Sequence, residues 1–330
     1  MKNTYRYFLN NSLMNIKIFG ALTLMTFGLL VSAQSSALEF TAGAGNPTGN
    51  GPTTADQVIT FQNNTDNPTG NTFVAYTPTT TATFSLTNQQ RTMVSAPGVG
   101  VMFGGNIGTT PAPVAGVLFN LLNAYGNPPS TSFTSSNSTA QTGIDVAVNR
   151  GVRLYVSTRP LQESGAALPT SSTPVRYQYA DLVITFNQPV NNPIIHFAGI
   201  GANSKGSAGN QTLTSSEFEL LTAGTTLTRL SGSTEFTTPT TTTIINSASQ
   251  FDETTGNGGM SGSVRVNGLN LTTVTFRIFM KAQDNNSIAG NPTVWGATTS
   301  DNVGDSFTVS VSLSSVCNAG TTSPPLSGYA

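Results

Sequence analysis

Asp301-Asn302-Val303-Gly304-Asp305 is the segment of this chain best equipped for chemistry. Asp301, Asn302 and Asp305 offer hard oxygen ligands at short spacing, and Gly304 lets the backbone turn so that a carbonyl points inward. Calcium takes about six to eight such oxygens from flexible loops, so this is the expected cation site. Its spacing departs from an EF-hand loop, and Asp/Asn/Gly turns also precede strands without any metal. Asp252-Glu253 and Asp284-Asn285-Asn286 are thinner versions of the same chemistry. No cofactor other than calcium is expected. Trp295 is the only tryptophan, in the loop-like run Gly290-Asn291-Pro292-Thr293-Val294-Trp295-Gly296. An exposed indole beside Asn291 would make a carbohydrate-binding site, and a Trp295 folded over the end of the structure would be a plug.

The remaining reactive side chains are sparse. His196 is the sole histidine, so a histidine-based metal site or a serine nucleophile would have to use it. Alternation within Ile194-Ile195-His196-Phe197-Ala198 sets it opposite Ile195 and Phe197, on a polar strand face or hydrogen-bonded inside. No serine lies in a nucleophile elbow. Glu217 and Glu219 share one strand face with carboxylates roughly 7 Å apart, a spacing that suits glycosidases but is routine on exposed strands. Cys317 is the only cysteine and cannot close a disulfide within the chain. Asn63-Asn64-Thr65, Asn137-Ser138-Thr139, Asn210-Gln211-Thr212 and Asn270-Leu271-Thr272 are triplets that a chain rich in Asn and Thr produces by chance. The reading is of a protein with no catalytic apparatus.

Strands must position these groups. Ser306-Phe307-Thr308-Val309-Ser310-Val311-Ser312-Leu313 alternates without a break, sending Phe307, Val309, Val311 and Leu313 to one face. Similar runs cover 56–61, 72–76, 82–87, 144–148, 151–157, 176–186, 194–198, 217–221, 226–230, 240–245, 263–267 and 274–281. The run 194–198 is expected beside 176–186, and 217–221 with 226–230 as a hairpin across Ala223-Gly224. One short helix is expected over Pro113–Asn123, where Val114, Leu118, Leu121 and Leu122 share a face and Asn127-Pro128-Pro129 forbids continuation. Many short strands between Gly, Pro and Asn turns predict an all-β fold, a large jelly-roll-like β-sandwich.

Lys2, Arg6 and Lys17 precede the apolar run 21–30 and the small residues Val31-Ser32-Ala33, which together read as a signal peptide cleaved after Ala33. The run is too short for a dedicated membrane anchor. The expected domains are the leader at 1–33, the sandwich at 34–316, and at 317–330 a flexible tail or the start of a further module. Without the leader the net charge is about −4, with Lys205 and Lys281 the only lysines. Charged residues are 8% of the chain, so hydroxyl and amide side chains must carry solvation. Nucleic acid is excluded as a partner because nothing clusters positive charge against a phosphate backbone. Arg150, Arg153, Arg159 and Arg176 are placed to meet Asp145 or Asp181 across strands.

Gly151-Val152-Arg153-Leu154-Tyr155, the stretch from Tyr179 to Val190, and Asn192-Pro193-Ile194-Ile195-His196-Phe197 resemble secreted surface proteins of Bacteroidetes-type bacteria. In these an N-terminal β-sandwich precedes adhesin-like repeats or a sorting domain. The resemblance covers residues 140–317, and Cys317-Asn318-Ala319-Gly320 is similar to their junction with a further module. It implies a secreted or cell-surface location and no assignable binding residues. Two functions are therefore expected. One is a non-enzymatic structural or adhesive protein that contacts other surface proteins or copies of itself through sheet edges. The other is a carbohydrate-binding module, with or without calcium.

Overall fold

Small hydroxyl residues alternate with β-branched and aromatic ones along most of this chain, and the backbone answers with strands. The computed structural model describes residues 37–43, 45–66, 71–122, 133, 149–169, 174–204, 212–251, 258–284, 295 and 302–314. Contacts divide the chain into Met1–Gln34 and Ser35–Ala330. The expected leader, its cleavage point, the 144–148 strand and the tail with Cys317 lie outside the described residues.

The first half holds β1 (Leu38–Glu39), β2 (Gln57–Thr60), β3 (Gln62–Asn64), β4 (Phe73–Ala75), β5 (Thr81–Thr87), β6 (Val101–Phe103), β7 (Gly105–Asn106), β8 (Val114–Ala115), β9 (Phe119–Leu121) and β10 (Arg150–Ser157). After α1 (Arg159–Glu163) come β11 (Val175–Val190), β12 (Ile194–Ile200), β13 (Ala202–Ser204), β14 (Thr212–Leu220), β15 (Thr226–Gly232), β16 (Phe236–Thr237), β17 (Thr243–Asn246), β18 (Met260–Asn267), β19 (Leu271–Asp284) and β20 (Gly304–Ser312). A seven-stranded sheet runs β15-β18-β12-β20-β10-β6, with β9 also on β10. An eight-stranded sheet runs β16-β17-β14-β19-β11-β5-β2, with β13 also on β14. A small sheet β1-β3-β4 and the hairpin β7-β8 complete the fold.

From β10 onward the chain passes between the two large sheets at nearly every connection, the winding of a jelly roll. Their apolar faces seal together. Phe197 on β12 meets Phe218 on β14 at 4.5 Å between ring centroids, and Phe307 on β20 meets Phe218 at 5.6 Å. Val152, Leu154 and Val156 of β10 and Leu182 and Ile184 of β11 extend the same core, all fully buried.

Three expectations are corrected. β12 does not lie beside β11; it pairs with β18 and β20 in the other sheet. The turn between them docks on the β18–β19 turn instead of closing a hairpin: Gly268 N donates to Asn192 Oδ1 at 3.0 Å, and Asn270 N to Asn191 Oδ1 at 2.7 Å. Likewise β14 and β15 occupy opposite sheets rather than forming a hairpin. The segment 113–121 is not helical but supplies β8 and β9. Its backbone is claimed by distant partners: Gly116 N donates to Gly104 O at 2.6 Å, and Leu118 N to Gly49 O at 3.1 Å. Those bonds replace the i−4 acceptors a helix needs. Among the described residues the α-helix is α1, with Pro160 in its first turn, where a missing N–H does no harm.

Candidate functional site

The strand β20 and the bridge residue before it carry Asp305 and Asn302, the two described members of the expected cation set. Asn302 Oδ1 accepts from Tyr155 Oη at 2.7 Å and from Ser157 Oγ at 3.1 Å, while Nδ2 donates to Pro111 O at 2.9 Å. Tyr155 and Ser157 alternate with the core residues Leu154 and Val156, so this cluster lies on the outer side of the seven-stranded sheet. Main-chain bonds between Asn302 and Gly108 fasten the β7–β8 hairpin there. Burial raises the Tyr155 phenol well above its usual range, keeping it a donor.

Asp305 points the other way. It shares the parity of Phe307 and faces the eight-stranded sheet, where Oδ1 accepts from Gly201 N at 3.0 Å and Oδ2 from Ser216 N at 2.7 Å. Strand β13 pairs with β14 only as far as Thr214, and β17 begins pairing at Phe218. Ser216 N lies in the gap between them, and the Asp305 carboxylate fills it. Gly201, at φ 123°, marks the corner where the chain leaves one sheet for the other. Desolvation raises the Asp305 pKa to about 6, against the opposing pull of hydrogen bonds from Ser216 and Gly201.

The expected calcium set is therefore not assembled. Asn302 and Asp305 direct their oxygens to opposite sides of one sheet, and those oxygens already receive hydrogens from protein donors. Asp301 lies outside the described residues, as do Asp252 and Glu253. Among the described residues no group of three or more His, Cys, Asp or Glu side chains is placed to hold a metal ion.

Trp295 is a plug rather than a sugar platform. It is 4% exposed, its Nε1 donates to Ala166 O at 3.0 Å, and its ring stands edge-on to Tyr177 at 5.9 Å. Thr158 Oγ1 donates to its main-chain oxygen at 2.8 Å, tying the plug to the start of α1. Asn291, its expected companion, lies outside the described residues.

His196 is buried in the middle of the seven-stranded sheet, on the face opposite the main core. Nδ1 and Nε2 each lie 2.7 Å from a hydroxyl, Ser263 Oγ and Ser312 Oγ respectively. Desolvation lowers its pKa to about 3, so the ring is neutral at any ordinary pH. A neutral imidazole against two serines resembles a base–nucleophile pair, but an acyl-transfer site also needs free N–H groups for an oxyanion. Around His196 the backbone is committed to the ladders of β12 with β18 and β20. The sequence allowed His196 a polar strand face or a hydrogen-bonded interior position, and the interior one is found; nothing in it pointed to Ser263, directly opposite in the register, or to Ser312 on the next strand.

Glu217 and Glu219 lie two residues apart on β14, opposite Phe279 and Arg277 of β19. Glu217 is buried between Arg176 Nε at 2.8 Å and Lys281 Nζ at 3.2 Å, the second contact being an ion pair without hydrogen-bond alignment. Arg176 lays its guanidinium over the Phe279 ring at 3.3 Å, giving that outward aromatic its cover. Asp181 is met by Arg277 at 3.0 Å and by Asn88 at 3.0 Å, correcting the expected pairing with Arg150, Arg153, Arg159 or Arg176. Asp145 lies outside the described residues.

The polar residues of this sandwich thus act as pins between strands, sheets and loops. No family model matches the chain, and no curated protein or solved structure matches it.

Proposed function

We propose that this chain is a non-enzymatic structural or adhesive protein of the cell exterior, exported by its leader and assembling through sheet edges with copies of itself or with other surface proteins. The observation that carries the reading is the outer edge of β2. Thr60 N donates away from β5 to Asn46 Oδ1 at 2.6 Å. Two residues earlier the Val58 N–H points the same way, because backbone groups alternate along a strand. Strand β2 ends the eight-stranded sheet, and the Val58 side chain is 50% exposed. Strand β4 pairs only with β3 among the described residues, with Val74 46% exposed. Asn46 caps both outward groups of Thr60, its Nδ2 donating to Thr60 O at 3.4 Å, so the open part of the β2 edge is at Val58; open edge backbone beside apolar side chains is a template for another strand. A surface nearly without charge offers little repulsion against such packing.

The resemblance to Bacteroidetes-type surface proteins agrees with this reading, and the confinement of His196, Glu217 and Asp305 within the fold supports a non-enzymatic role. Calcium and the Trp295 sugar platform have no part in it. The test is light scattering and negative-stain microscopy of the chain lacking its first 33 residues, at neutral pH. Large, concentration-dependent species are expected, and Val58→Pro should reduce them while leaving circular dichroism unchanged, since proline removes only the outward donor. A wild-type chain that stays monomeric at high concentration overturns the proposal.

A further inference from the structure

Between the loop that follows β1 and the start of β9 lies a groove of about 280 Å³. Pro47, Val117 and Phe119 give it apolar walls, Thr48 and Asn50 give it polar ones, and Arg150 is its only charged residue. The walls are braced by hydrogen bonds within the protein, among them those of the lining residue Asn46. Asn46 Nδ2 donates to Thr41 O at 2.7 Å, its Oδ1 holds Thr60 N, and Gly51 N donates to Gly116 O at 2.8 Å. The Arg150 backbone is fixed by its N–H donating to Phe40 O at 2.9 Å.

Three polar side chains of the lining, Arg150, Thr48 and Asn50, are less engaged. Among the described residues the Arg150 guanidinium makes one hydrogen bond, Nη1 to Phe119 O at 3.4 Å, and it faces no carboxylate. Arg159, Arg176 and Arg277 each have a carboxylate partner, while Arg91, Arg229 and Arg265 donate through Nε to a carbonyl or amide oxygen. Thr48 and Asn50 are exposed, and their side chains make no hydrogen bond among the described residues.

We infer that this groove binds one carboxylate-bearing sugar ring, a uronic or sialic acid residue of an acidic glycan. A guanidinium matches a planar carboxylate with two parallel hydrogen bonds, which fixes orientation as well as charge. Thr48 and Asn50 supply a donor and acceptor set for ring hydroxyls, and Pro47 and Val117 meet the apolar face of the ring. The volume is at the small end for ligand sites, about 300 Å³, and suits a single ring. An acidic peptide side chain would engage Arg150 but leave the hydroxyl-matching groups unused. The inference deepens the adhesive reading by naming what is gripped, and rests on it only in placing the glycan outside the cell.

The experiment is a titration, by calorimetry and on a glycan array, of the chain lacking its first 33 residues. Glucuronic acid and sialylated oligosaccharides are compared with the matched neutral sugars and with acetate. Acidic sugars should bind at least about tenfold more tightly than their neutral counterparts, as expected for one charge-assisted contact. Arg150→Gln should remove that preference, Arg150→Lys should restore part of it, and Asn50→Ala should weaken binding with the preference intact. Equal affinity for neutral and acidic sugars, unchanged binding by Arg150→Gln in a protein with normal melting, acetate binding as tight as that of the sugars, or no binding at millimolar ligand overturns the inference. Val58→Pro separates the two proposals: it should disrupt assembly and keep sugar binding.

Discussion

Replacing His196 by glutamine should tilt the acid side of the stability profile, and replacing Asp305 by asparagine should tilt it the other way. Folding holds His196 neutral down to about pH 3, whereas the unfolded chain takes up the proton near 6.5. The stability this provides is complete above 6.5 and is lost as pH falls toward 3. Asp305 has the opposite sign. Its folded pKa of about 6 exceeds the unfolded 3.8, so its contribution is complete below 3.8 and is lost as pH rises through 6. Each slope is about 1.4 kcal/mol per pH unit where only one of the two states is protonated. Between about pH 4 and pH 6 each group therefore changes stability by about 3 kcal/mol, in opposing directions.

Both side chains are buried, so solvent screening takes little from these magnitudes. No carboxylate or cation contacts the His196 ring among the described residues; it meets Ser263, Ser312 and, edge-on, Phe133 at 6.5 Å. Urea unfolding followed by the fluorescence of buried Trp295, repeated at intervals of pH, reads the effect. These two groups should nearly cancel in the wild type. His196→Gln should lose about 3 kcal/mol as pH rises from about 4 to 6, leaving Asp305 unopposed. Asp305→Asn should lose a similar amount as pH falls across the same window, on top of a pH-independent loss of about 1–3 kcal/mol from an amide N–H facing a backbone donor. The double variant should be flat again. Slopes of the same sign in both single variants, or none in either, refute the reasoning.

Two further outcomes test the packing. Gly304→Ala should destabilise by about 3 kcal/mol or more in a denaturant melt, because its Cβ would collide with Val156 O, a backbone atom of the neighbouring strand that cannot rotate away; a loss under about 1 kcal/mol would show that β10 and β20 can spread there. Glu217→Gln should lower stability by about 1–3 kcal/mol, since it leaves Arg176 and Lys281 crowded around a neutral amide, while Glu219→Gln, outside that cluster, should change it by under about 0.5 kcal/mol in the same melt.

Alternation made the strands legible because a half-buried strand needs period two, but it was read only from Ser306 onward; Asp305, expected as a cation ligand in a turn, instead lies in β20 and shares the parity of Phe307. Alternation could not say which sheet a strand joins. An apolar face is buried equally well beside a neighbour or opposite one, and so β12 was expected next to β11 when it crosses the core. The 113–122 segment was misread for a related reason: Val114, Leu118, Leu121 and Leu122 fit a helical stripe, but Gly104 and Gly49, far off in sequence, claim the backbone N–H groups. The sites were less legible than the fold. A polar residue set inside an apolar run looks reactive, yet a sandwich with so few charges needs polar residues there to close its corners and gaps. Asn302, Asp305 and His196 are spent in that way. Arg150 drew attention only as half of an ion pair; among the described residues it meets no carboxylate and bonds only Phe119 O at 3.4 Å. In a protein of this composition, the useful question to put to each polar residue is whether the fold has already used it.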